Sequence, residues 1–147
     1  MPPTTKADPI VREIHIDATP ETVFEFLVDP DKVTRWLAKE VTHDLRPGGV
    51  CHQIHGHEGT DERFDMRGEF VEITRPERVV FTWGFAEPEL NLPPGSSRVE
   101  FTLTPEGAGT LVRLEHHDLP VSERDSHAEG WPEVLERLKR AVEASRD

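Results

Sequence analysis

The sequence predicts an α+β domain, one curved antiparallel sheet with its helices on a single face. Three observations carry this expectation. A long amphipathic pattern from Ser122 to Ala144 ends the chain, two closely spaced helix starts interrupt the sheet early, and the stretch from Glu40 to His116 reads as short strands separated by turns.

Residues 1–9 are expected to form a disordered tail and residues 10–145 a single domain. Ile10, Ile14 and Ile16 alternate with polar residues, the mark of a half-buried first strand. Thr19-Pro20-Glu21 then combines a hydroxyl cap, a proline at the first helical position and a carboxylate at the positive helix end, with Val23, Phe26 and Leu27 as the buried stripe. Asp29-Pro30-Asp31 repeats that punctuation, so a second short helix burying Val33, Trp36 and Leu37 follows.

Strands are expected next at about 40–46 and 50–56, joined by the turn Arg46-Pro47-Gly48-Gly49. The loop His57 to Glu62 leads into a strand from Arg63 to Thr74, which Arg75-Pro76-Glu77 turns back. Val79, Phe81, Trp83 and Phe85 alternate with Val80, Thr82 and Gly84, giving a strand whose aromatic face belongs inside. Ala86 to Ser97 is the longest irregular connection and the expected mobile lid. Val99, Phe101 and Leu103 define another strand, Pro105 to Gly109 a hairpin loop, and Val112, Leu114 and His116 the last strand.

In the closing helix Trp131, Val134, Leu135, Leu138, Ala141 and Val142 share a face. Glu133 with Arg137 and Glu136 with Arg140 are carboxylate-first i,i+4 pairs, worth a few tenths of a kcal/mol each, and they mark the expected solvent side. Pro132 cannot donate to the carbonyl four residues back, which leaves Ser122 to Glu129 as either a separate turn or a segment kinked near Gly130 and Trp131.

Seventeen basic and twenty-nine acidic residues among 147 give a net charge of −12 with no basic cluster, so neither nucleic acid nor an anionic membrane is an expected partner. Cys51 is the only cysteine and cannot form an intramolecular disulfide, and MPPTTKADP has no signal-peptide apolar core, for which cytoplasmic is the simplest reading. No stretch reaches the ~20 apolar residues of a membrane span.

Ala18-Thr19-Pro20-Glu21-Thr22-Val23-Phe24, Asp29-Pro30 and Trp36 open the chain in a familiar order. Arg46-Pro47-Gly48-Gly49, Gly68-Glu69-Phe70-Val71-Glu72-Ile73, Glu77-Arg78-Val79-Val80-Phe81-Thr82-Trp83 and Gly130-Trp131 with Leu135 and Leu138 continue it. Over about residues 10–144 this order resembles the SRPBCC, or START-like, superfamily, and within it the AHSA1-like branch named for the Hsp90 ATPase activator. The resemblance implies a helix-grip (Bet v 1-like) fold, with six or seven strands wrapped on the C-terminal helix and a cavity between them. It also implies binding of hydrophobic small molecules, and in some superfamily members catalysis such as polyketide cyclisation. The branch carries no shared catalytic motif, so no catalytic residue is assigned.

The cavity wall implied in this way comprises Gln53, His55, Phe64, Met66, Phe81, Trp83, Phe101, Leu114, His116, Trp131 and Leu135. The register of residues 50–56 stays open: the family alternation turns Cys51, Gln53 and His55 inward, whereas Val50 and Ile54 argue for the reverse. A dry void of roughly 300 Å³ would cost about 7 kcal/mol, so side chains, water or a ligand are expected to fill the space.

Of the eight histidines, His52, His55 and His57 lie close together and His116-His117 follow later, in a spacing that matches no metal motif; no metal and no other cofactor is expected. Cys51 lacks the signature of an activated nucleophile and reads as a buried thiol. His116 and His127 are weighed as an acid and base against a strand end and a helix cap. The leading expectation is a binding protein for a hydrophobic, aromatic or mixed-polarity small molecule. An enzyme acting on an aromatic or polyketide-like substrate and a co-chaperone-like interaction domain are the alternatives, and a homodimer or protein partner stays open.

Overall fold

A computed structural model describes residues 7–56 and 59–145. His57 and positions 1–6 of the expected tail therefore lie outside the described residues. Ala7 and Asp8 are held in place, because the Ala7 amide donates to the Leu119 carbonyl and Arg124 Nε donates to the Asp8 carbonyl.

The first strand, β1 (Ile10–Ile16), buries Ile10 and Ile16 completely. Helix α1 (Pro20–Val28) starts where Thr19 Oγ1 accepts the Thr22 amide at 3.3 Å, and α2 (Pro30–Val33) where Asp29 Oδ1 accepts that of Asp31 at 3.0 Å. Helix α2 is a single turn, so Trp36 and Leu37 follow it in a turn; Trp36 is anchored by its Nε1–H donating to the Phe26 carbonyl at 2.7 Å.

Six more strands follow: β2 (Glu40–His43), β3 (Val50–His55), β4 (Phe64–Thr74), β5 (Arg78–Trp83), β6 (Ser97–Glu106) and β7 (Gly109–His117). They form one antiparallel sheet of seven strands in the order β1-β7-β6-β5-β4-β3-β2. Pairing of β1 with β7 places the helices α1 and α2 on the crossover between the two sheet edges. In β3 the register turns Cys51 and Gln53 into the core and leaves Val50 46% exposed, which settles the open alternative in favour of the polar residues. In β4 a bulge between Phe70 and Glu72 pushes Val71 outward.

The connection from β5 to β6 is tied down rather than lid-like. It contains a 3₁₀ turn, Pro88–Leu90, buries Leu92, and pairs the Phe85 amide with the Leu92 carbonyl at 2.6 Å. Gly84 permits this closeness, since a Cβ there would stand 1.9 Å from the Pro93 carbonyl oxygen.

The last helix, α3 (Val121–Ala144), is continuous through Pro132, so of the two open alternatives Ser122 to Glu129 is part of the helix and not a separate turn. Trp131, Leu135, Leu138 and Val142 are buried, and Glu133 and Arg140 are exposed. Arg137 departs from the expectation: it is half-buried. Neither expected pair forms among the described residues; the i,i+4 ion pair present is Lys139 with Glu143 at 2.8 Å.

Candidate functional site

The aromatic face of β5 and the middle of α3 do not meet everywhere, and a cleft of about 310 Å³ opens between them. On the sheet side it is lined by His55, Gly56, Phe64 and Trp83, and Leu37 closes one end. On the helix side Ser126, Gly130 and Arg137 form one ridge, with His127, Trp131 and Val134 beside it. The space beside Gly130 is open, since a Cβ added there would meet nothing within 4 Å.

Trp83 is the centre of the aromatic wall. Its ring lies 5.1 Å from that of His55, 5.5 Å from Trp131 and 5.7 Å from Phe85, with the edge-on or tilted geometry aromatic rings favour. Its Nε1–H is buried and, among the described residues, has no acceptor; the same holds for the Nε–H of Arg137.

Two hydrogen-bonded chains run behind this wall. In the first, His43 Nδ1 donates to the Val28 carbonyl at 2.9 Å, Gln53 Nε2 donates to His43 Nε2 at 2.9 Å, and His55 Nε2 donates to Gln53 Oε1 at 2.9 Å. Burial, then the Arg137 charge, lowers the His55 pKa to about 4, and burial also lowers that of His43. In the second, Trp131 Nε1 donates to His116 Nδ1 at 3.0 Å; an indole N–H can only donate, so the imidazole proton sits on Nε2. His116 Nε2 donates to Ser97 Oγ at 3.0 Å, and Ser97 donates onward to the Trp83 carbonyl at 2.8 Å. Burial, followed by the charges of His127 and His117, drops the His116 pKa to about 3.

His55, Phe64, Trp83 and Trp131 of the expected wall line the cleft together. Met66, Phe81, Phe101, Leu114 and Leu135 pack instead into the core beneath it, filling space the resemblance left for a ligand. Gln53 and His116 are buried behind the wall with protein partners, so neither depends on a ligand for its hydrogen bonds. Sequence reasoning missed Leu37, Gly56, Ser126, Gly130, Val134 and Arg137 as lining residues. A signal existed for the last: Gly130 and Arg137 lie about 20° apart on a helical wheel at the border of the apolar stripe.

The reactive alternatives are weakened by their surroundings. Burial holds the Cys51 thiol far above its ordinary pKa, and His116 has both ring nitrogens occupied, so the acid–base pairing with His127 lacks a free partner. Glu100, Glu115 and His117 cluster on the outer face of β6 and β7, where Arg78, Arg98 and Arg113 already hold the two carboxylates.

A seven-stranded sheet gripping a C-terminal helix, with an aromatic cleft between them, is the helix-grip architecture of START-like proteins. The chain belongs to the family of Activator of Hsp90 ATPase homolog 1-like proteins, whose family model matches residues 17–143. Among solved structures it is similar to protein MLL2253 from Mesorhizobium loti, with a TM-score of 0.80 at 22% identity over 95% of this chain and 100% of that one. Protein CV1439 from Chromobacterium violaceum gives 0.80 at 24% identity, covering 92% and 96%. The Aha1 dimer from Colwellia psychrerythraea gives 0.75 at 20% identity, covering 96% and 100%. These likenesses show the fold. No curated protein matches the chain significantly. Among the described residues no helix is long and apolar enough to cross a membrane.

Proposed function

We propose that the chain is a small-molecule binding protein whose ligand lodges between β5 and α3. The observation that carries this reading is the cleft of about 310 Å³, walled by Trp83, Phe64 and Trp131 with open space beside Gly130. Its size stands at the low end of the roughly 300–1,000 Å³ typical of ligand pockets. Compact aromatic molecules suit it better than long acyl chains.

A thermal-shift screen of aromatic acids, flat polycyclic phenols and fatty acids tests the reading, beside native mass spectrometry for a co-purifying ligand. A compound at 100 times its dissociation constant stabilises the fold by about 2.7 kcal/mol, a rise of a few degrees in Tm. If no compound shifts the protein, binding fails as its function. The protein-partner reading then takes its place, including a homodimer like the one solved for the Colwellia relative.

A further inference from the structure

Resting on that reading of the cleft, we infer that its ligand is an aromatic carboxylate, with the ring against Trp83, Phe64 and Trp131 and the carboxylate on the Arg137 guanidinium. The first support is the unsatisfied guanidinium of Arg137. Arg46, Arg63, Arg67, Arg75, Arg78, Arg98 and Arg113 each pair with an Asp or Glu. Arg137, like Arg12, Arg35, Arg124 and Arg140, pairs with none among the described residues, and a buried group without an acceptor is what sets it apart. Its Nε–H is buried without an acceptor, a state that costs a charged donor more than a neutral one.

The second support is the charge around the cleft. No carboxylate is among its lining residues, and two adjoining grooves that share Gly56 and Arg137 add Arg35, Lys39 and Arg140 against Glu133 alone. Within a chain of net charge −12 this is a locally positive mouth.

The third is the donor surplus of the wall. Trp83 is 4% exposed and its buried Nε1–H also lacks an acceptor, so two of the residues that line the cleft carry an unsatisfied donor. A carboxylate accepts at both oxygens and matches the planar fork of a guanidinium. His55, neutral and donating to Gln53, adds no competing cation.

Calorimetric titration with 2-naphthoate, the uncharged 2-naphthamide and acetate tests the inference. The wild type is expected to bind naphthoate about tenfold or more tighter than naphthamide, and acetate negligibly. Arg137→Met should erase the preference for the acid while leaving naphthamide binding in place, Arg137→Lys should retain part of it, and Gly130→Leu should abolish both by filling the cleft. Equal affinity for acid and amide overturns the anion while the binding reading stands. Unchanged naphthoate affinity in Arg137→Met does the same. Loss of both probes in the wild type overturns both. Should Arg137→Met fail to fold, the acid–amide comparison in the wild type decides alone.

Discussion

Arg12 of β1 reaches the carbonyl of Ala128 in α3, with Nη2 donating at 3.4 Å, and Ala128 is the residue whose carbonyl Pro132 leaves without its helical donor. A side chain from the sheet edge thus stands in for the missing N–H, and the helix continues where the sequence suggested a break. Pro132→Ala should stabilise the protein by about 1–3 kcal/mol, because an interior proline costs up to ~3. Arg12→Ala should cost about 0.5–1.5 kcal/mol in the wild type and less beside Pro132→Ala. Denaturant unfolding of the four proteins measures the coupling, and an equal Arg12 effect in both backgrounds would refute it.

Leu138 is completely buried between α3 and the sheet. Leu138→Ala should cost about 2–5 kcal/mol as a core truncation. A loss under about 0.5 kcal/mol would mean that the helix is not gripped.

Gly130→Ala should stabilise the protein by about 0.5–1 kcal/mol, since glycine within a helix is costly and the new Cβ meets no neighbour within 4 Å. A fall in Tm would show that the glycine serves packing and not the cleft.

Stability should fall as the pH drops below the ordinary histidine range. The folded-state pKa of His116, about 3, lies under the ~6.5 of an unfolded imidazole, so between those values the unfolded chain binds the extra proton. His55 acts in the same direction over a shorter window, down to about 4. Replacing His116 by glutamine, which can still accept and donate, should reduce the slope of unfolding free energy against pH near 5 by about 1.4 kcal/mol per pH unit. Equal slopes for the two proteins would contradict the buried, neutral imidazole.

The parts of this molecule legible in the sequence are those set by local chemistry. Thr19-Pro20 and Asp29-Pro30 announce their helices because caps and fixed proline angles act within one turn, and the stripe from Trp131 to Val142 repeats at the helical period. Arg137 was hidden for a physical reason: amphipathic patterning assigns every charge to solvent, whereas a long side chain at the border of the stripe can bury its stem and reach into a cleft. Strand β3 was ambiguous because its inward residues are polar, and only the neighbours His43 and His55 make Gln53 welcome in the core. His43 comes from β2, so no pattern along β3 alone could reveal that partner.

The chain from Val28 to His55 has a direction, and one peptide group imposes it. A backbone carbonyl can only receive a proton, so the Val28 oxygen forces the hydrogen of His43 onto Nδ1 and leaves Nε2 bare. That orients the Gln53 amide, which in turn forces the His55 hydrogen onto Nε2 and leaves its Nδ1 as a lone pair on a ring that lines the cleft. The end of an early helix thereby dictates whether a remote wall offers a proton or asks for one. The polarity of that wall is therefore set partly by residues that do not line the cleft at all.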